Sequence, residues 1–234
     1  MSKISDQKRI FDWKYAVREI VLIVVGILVA LGINNWNEDR KEYEKETLLL
    51  QELKVALQHD LEDIKVNTRF LERSLNSTEI ILRHLENENS YHDSLKVHFG
   101  RMLGTTFFLS DDMIYQNLSN SGRDMITHDT LRNAISRLYA QDYAYIRKLE
   151  EAEQDLLISF FNPFYSLNFE NHEMFSAATP DDFVSLTRNR EFTAQMRWWH
   201  DLKSVTVGRY QNLETKVEKL ISIIDEELMK REQV

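Results

Sequence analysis

Ile20 to Ile33 (IVLIVVGILVALGI) is a run of fourteen uncharged, mostly aliphatic positions in a chain that elsewhere turns polar every few residues. Crossing about 30 Å of hydrocarbon takes roughly 20 such residues as helix. The flanks make up the difference. Ala16 and Val17 extend the apolar face, and Lys14 and Arg18 have stems long enough to reach the headgroups. Trp13, Tyr15 and Trp36 stand where interfacial aromatics belong. Trp13 to Trp36 spans about 34 Å as helix. The pattern predicts a transmembrane helix over residues 15–36 behind a short tail, 1–14. Ala30-Leu31-Gly32 offers small residues at plausible cleavage positions, so a cleaved signal peptide is a competing reading, and a buried core helix a third. The residues after Gly32 favour the anchor, because they run directly into a long helical pattern.

No Gly or Pro occurs between Ile33 and Phe99. Leu50, Leu57, Ile64, Leu71 and Leu85 recur at sevens, with Thr78 in the same series. Leu61, Leu75 and Leu82 form a second series offset by four, with Thr68 in its gap. Together they predict a sustained a/d seam of the coiled-coil kind. Trp36 to Lys45 is polar on every side and reads as a solvated stalk. One helix from near Tyr15 to near Glu88 would measure about 110 Å.

Further along, breakers and caps divide the chain into short helices at 94–103, 111–120 and 181–187. Long helices are predicted at 37–88, 129–161 and 189–230. Asp129 opens the second long helix and Pro163 ends it. Its expected inner face is Leu131, Ile135, Leu138, Tyr139, Ala140, Tyr145, Ile146, Leu149, Ala152, Leu156 and Leu157. Residues 163–179 read as irregular. Thr179-Pro180-Asp181-Asp182 reads as a helix start, with the Pro at its first position. The last helix carries Phe192, Met196, Trp199, Leu202, Val205, Tyr210, Leu213, Val217, Leu220, Ile224 and Leu228 inward. The fold class expected is all-α: an N-terminal transmembrane helix continuous with a long helix, followed by an elongated antiparallel helical bundle within 37–234.

Composition trims the possibilities. Six Gly and two Pro cannot supply the turns of an all-β fold, and the lack of Cys removes disulfides and thiolate chemistry. A net charge of −9 argues against nucleic acid as a partner. Residues 1–19 carry five basic against three acidic side chains, while everything after the apolar run is acidic overall. The positive-inside rule then places the N-terminus in the cytoplasm and the bulk of the chain outside it, with Arg40 and Lys41 weakening the bias.

Glu19 shares a helical face with Gly26 and Ala30, a small-xxx-small pair that lets backbones approach. Either Glu19 faces partner helices in a self-associating anchor, or it pairs with Lys14 or Arg18 at interface depth. No His has an acidic residue three positions before it, which excludes the di-iron pattern of ferritin-like bundles. The clusters His84, Glu86, Glu88, His92, Asp93 and Glu170, His172, Glu173 resemble ordinary solvated helix ends and loops. Asp60 with Asp63, and Glu150 with Glu151 and Glu153, read as solvated helix faces. No nucleotide or nucleophile motif is present, and neither a cofactor nor an enzymatic activity is expected. The aromatic stretch around Phe164 and Tyr165 reads as a hydrophobic cap over the bundle end, or as a partner contact. Trp198, next to the inward-facing Trp199, is a second contact candidate.

Glu19-Ile20, Gly26 to Leu31, and Ile33-Asn34-Asn35-Trp36-Asn37-Glu38 with Arg40-Lys41 resemble the N-terminal signature of an uncharacterised family of bacterial single-pass membrane proteins. Tyr115-Gln116-Asn117-Leu118 with Ser121-Gly122, then Asp129-Thr130-Leu131-Arg132, and more weakly Leu186 to Arg190, continue the likeness. Arg18 and Gly32 depart from it. The resemblance implies an inner-membrane location and an outward helical domain, and carries over no activity. The expected role is a self-associating, membrane-anchored scaffold that binds a protein partner, with a ligand sensor or an oligomeric channel subunit as alternatives.

Overall fold

In a computed structural model, residues 13–87, 90–121, 125–173 and 175–232 are described. Of the predicted tail, all but Trp13 and the backbone at Lys14 lie outside those residues, as do Glu88 and Gly122. Helix α1 is Trp13–Glu86. It is followed by α2 (Leu95–Arg101), α3 (Met113–Ser121) and α4 (Asp129–Arg137). A π-helical stretch, Leu138–Tyr143, leads into α5 (Ala144–Leu156), and a second, Leu157–Phe161, into α6 (Asn162–Asn168). A hairpin of β1 (Phe169–Glu173) and β2 (Ala177–Pro180) precedes α7 (Phe183–Thr187) and α8 (Arg190–Glu232). The fold is all-α apart from that hairpin. The chain divides into two units, residues 1–47 and 48–234.

Within the first unit, α1 is long and apolar enough near the N-terminus to cross a membrane, and no residue of the apolar window is buried. Its bulky side chains from Ile20 to Ile33 are each 47–64% exposed. The polar turns after it are stitched along the helix by Asn34 to Glu38 at 3.1 Å and Arg40 to Glu44 at 2.9 Å.

The second unit is built on α1 from Leu48 onward, on the α4–α6 run and on α8. Leu50, Leu57, Ile64, Leu71, Thr78 and Leu85 are all buried, as the sevens predict. The other line of the seam differs from expectation. It runs through Leu53, Asp60, Asn67, Ser74 and Ile81, all buried, while Leu61, Leu75 and Leu82 are only half-buried. On the partner helices the buried line is also displaced by one residue, there toward the C-terminus instead of the N-terminus. Glu150 and Glu153 are buried where Leu149 and Ala152 were expected, and Lys203 and Thr206 where Leu202 and Val205 were expected. On α5 the cause is local: a π-turn holds one more residue than an α-turn, so Leu138–Tyr143 turns Tyr143 inward and leaves Tyr145 exposed.

Two hydrophobic clusters result. One gathers Leu50 to Leu71 of α1, Leu131 to Ile146, and Val207 to Ile224 of α8. The other joins Ile81 and Leu85 to Phe99, Phe161, Phe169, Phe192 and Trp199. On all three long elements the residues between the clusters are polar and buried: Ser74 and Thr78, Glu150 and Glu153, Lys203 and Thr206.

The 163–179 stretch is not irregular. Pro163 does not end the helix: the chain stays helical from the π-helical stretch Leu157–Phe161 through Pro163 to Asn168, and then folds into the hairpin. Pro180 ends β2 instead of opening α7. The cap of α7 is Asp182, whose carboxylate accepts the Ser185 N–H at 3.1 Å. Gly100 of α2 lies against β2 so closely that a Cβ there would meet the Ala177 nitrogen at 2.3 Å.

Candidate functional site

Between α2 and α3 the chain runs from Met102 to Asp112 without helix or strand. This strap lies on α1, α5 and α8. Its main-chain groups have no ladder to join, so they must find side chains or water. Along α1, Ser74 Oγ donates to the Met102 carbonyl at 2.9 Å, and Thr106 Oγ1 donates to Asn67 Oδ1 at 2.6 Å. The Leu109 N–H donates to Asp63 Oδ2 at 3.2 Å and the Asp111 N–H to Asp60 Oδ1 at 2.7 Å. Along α5, Gln154 Nε2 reaches Thr105 Oγ1 at 2.9 Å, and the Phe108 N–H donates to Glu150 Oε1 at 2.9 Å. Arg147 holds Ser110 at 2.7 Å and Asp112 at 3.0 Å. From α8, Trp199 Nε1 donates to the Met102 carbonyl at 2.8 Å, and Lys203 Nζ donates to the Gly104 carbonyl.

These contacts fix the topology. The strap descends both α1 and α5, so those two helices run in the same direction, and α8 runs against them, with Lys54 paired to Asp225 and Lys65 to Glu218. An extended return, instead of a helical one, is what makes two long helices parallel neighbours.

Several of the polar rungs also bond beyond the strap. Tyr143 donates to Asp60 Oδ2 at 2.6 Å, and Tyr210 donates to Glu150 Oε1. Asn67 Nδ2 donates to Asp63 at 2.9 Å. Lys203, fully buried, pairs with Glu153 at 2.9 Å and lies 4.5 Å from the Trp199 ring centre. Its third N–H direction is thus covered by the ring face. Burial raises Asp60 above the ordinary carboxylate range against the opposing bonds from Tyr143 and Asp111. Burial likewise pushes Glu150 up to about 7, against the bonds from Tyr210 and Phe108. Burial lowers Lys203, opposed by the Glu153 carboxylate. Glu153 Oε1 is buried with no hydrogen-bond partner among the described residues.

Side chains alternate along the strap. Phe108 points in, edge-on to Tyr143 at 4.7 Å between centroids, while Phe107 and Leu109 point out, 59% and 78% exposed. Two open grooves flank the lattice. One of about 250 Å³ is lined by Gln141, Asp142, Tyr145, Arg209 and Asn212, where Arg209 covers the Tyr145 ring. The other, of about 340 Å³, is lined by Lys65, Arg69, Glu72, Gln211 and Glu214.

The residues singled out from sequence fall elsewhere. Glu19, Gly26 and Ala30 are exposed on α1, and Gly26 has open space around it. Trp198 is 62% exposed, and Trp199 is fully buried. Phe164 is half-buried, stacked on Phe192 at 4.6 Å. Tyr165, a candidate partner contact, is instead buried. It stacks on Phe169 at 3.9 Å and donates to the Phe99 carbonyl at 3.0 Å, so it closes the bundle end and presents no surface. Among the described residues no His, Asp or Glu side chains group to hold a metal. The acids read as solvated faces include the central members of the lattice: Asp60, Glu150 and Glu153 are buried, and of that set Glu151 is exposed. The signal for them is indirect. Each falls on the 3–4 spacing of a seam, at a position the apolar rule alone rejects.

Fold and site therefore define a class: an all-α protein with, among the described residues, one helix long and apolar enough to span a membrane, and a bundle whose centre is a buried polar lattice around an extended strap. The profile of a family of unknown function, DUF6090, matches residues 19–156, more than half of the chain, and the protein belongs to that family. The matched stretch takes in the apolar segment from Glu19, the strap and α5. No curated protein and no solved structure matches the chain.

Proposed function

We propose that this is a single-pass membrane protein whose bundle acts as a non-enzymatic interaction or scaffold module on the outer side of the bacterial cytoplasmic membrane, with the anchor self-associating. One observation carries the reading. Eleven bulky aliphatic side chains between Ile20 and Ile33 on α1 are exposed among the described residues. Monomeric soluble proteins rarely expose apolar patches beyond a few hundred Å². A bilayer covers such a surface at no cost to the backbone, whose polar groups are bonded within the helix. The bundle has its own two-part core. Sidedness follows from the basic residues before the span, and self-association from Gly26 and Ala30 on the face of Glu19. Trp198 is the exposed aromatic best suited to a protein contact.

The test has two arms. The chain should stay with the membrane after an alkaline carbonate wash, and a reporter fused after Val234 should be active only outside the cytoplasm. Release by carbonate removes the anchor, and activity only in the cytoplasm reverses the orientation. Cross-linking in membranes should capture an oligomer that Gly26→Leu weakens; an unchanged ladder removes self-association while leaving the anchor standing.

A further inference from the structure

Three strap amides end on carboxyl groups: Phe108 on Glu150, Leu109 on Asp63 and Asp111 on Asp60. No ladder supplements them, so at these three amides the hold depends on groups that exchange protons with water, while Ser74, Gln154 and Trp199 fix the start of the strap. We infer that the strap is a proton-linked latch, docked most firmly while Glu150 is neutral and loosened from α5 as Glu150 ionises.

The surroundings of Glu150 set the sign. The strap contributes the Phe108 N–H and α8 the Tyr210 hydroxyl, both donors. Asp63 on α1 and Glu153 one turn along α5 both add negative charge. Among the described residues no cation bonds to Glu150. Lys203 is spent on Glu153 and the Gly104 carbonyl, and Arg147 on Ser110 and Asp112. An ionised Glu150 therefore has two hydrogen bonds in its favour, with two carboxylates and the loss of water against it. With the strap in place its pKa stands at about 7, against an ordinary 4.5. Lifting the strap lets water in and returns the group toward the ordinary value. The docked form then holds a proton that the lifted form releases. Docking is strongest below about pH 4.5 and weakens as pH rises through 7. Asp60, raised by the same burial, adds to the effect with the same sign. Lifting would uncover Asp63, Asn67, Glu150 and the seat of Phe108 beside Tyr143, a mixed polar and aromatic groove along α1, α5 and α8.

Amide hydrogen exchange on the full chain in detergent micelles tests this. Protection of Phe108 and Leu109, corrected for the intrinsic pH dependence of exchange, is followed from pH 5.5 to 8.5. The opening constant of the strap should rise roughly tenfold or more across that window, while amides in the middle of α8 hold constant. A flat corrected profile, or an equal rise throughout α8, overturns the latch. Glu150→Gln keeps an acceptor without a charge and should flatten most of the rise, leaving the part due to Asp60. A rise as steep as wild type overturns the assignment to Glu150. Tyr210→Phe serves if that variant does not fold. It removes a donor that supports the ionised carboxylate, so the rise should extend to higher pH; an unmoved profile again overturns the proposal.

Discussion

Asp60→Leu separates two accounts of the α1 seam by the sign of its effect. If Asp60 were an acid on an ordinary apolar seam, leucine would complete the heptad, and burying it would stabilise by about 1.5–3 kcal/mol. In the structure Asp60 is 1% exposed and accepts from the Tyr143 hydroxyl at 2.6 Å and the Asp111 N–H at 2.7 Å. Leucine accepts neither. Two donors, one on a buried tyrosine, lose their acceptor, at about 1–3 kcal/mol each. The balance is a net loss of about 1–3 kcal/mol, or about 5 °C in Tm for a domain of this size. The partner supplies the sharper check. With Tyr143→Phe already present, one of the two orphaned donors is gone while the gain from burying leucine stays, so the Asp60→Leu step should cost about 1–3 kcal/mol less and come out near zero. Thermal unfolding of wild type, both single variants and the double variant at one pH gives the coupling. Additive single effects, or a leucine variant more stable than wild type, would refute the polar-rung account.

Other changes probe the remaining joints. Gly100→Ala places a methyl on the backbone of Ala177, which cannot swing aside, so a loss of about 1–3 kcal/mol is expected in denaturant unfolding. Lys203→Met leaves Glu153 buried without its cation and should cost about 3–5 kcal/mol at neutral pH. Trp199→Ala should cost about 3–5 kcal/mol, while Trp198→Ala stays within about 0.5 kcal/mol, as read by urea midpoints. Because the folded pKa of Glu150 lies above its ordinary value, its contribution to stability is fully present below about pH 4.5 and is lost as pH rises through 7. Glu150→Gln should remove most of that slope from the wild-type Tm profile between pH 5 and 8.

The apolar code was legible wherever apolar residues meet apolar residues. The apolar stretch near the N-terminus, the sevens through Leu50 and Leu71, and the Phe192–Met196–Trp199 stripe all come from it. It failed at the middle of the bundle, and it failed the same way on three helices. Leu61, Leu149 and Val205 were favoured over Asp60, Glu150 and Thr206, because a hydrophobic pattern scores side chains and takes no account of what they face. The family resemblance located the apolar signature but held no information about the lattice.

The amino-acid sequence by itself determined that the chain is helical, where an apolar helix able to enter a membrane lies, and one line of the long seam. Those properties depend on residues a few positions apart, through hydrophobic spacing and the absence of breakers. The polar middle was decided only by tertiary structure. Residues 102–112 form no ladder of their own, and their main-chain groups must be satisfied by side chains some 30 to 100 positions away, from Ser74 to Lys203. Nothing local to Asp60 or Glu150 announces that demand. It arises when a strap, two parallel helices and one antiparallel helix are brought together and inward-facing strap groups such as the Phe108 N–H are closed off from water.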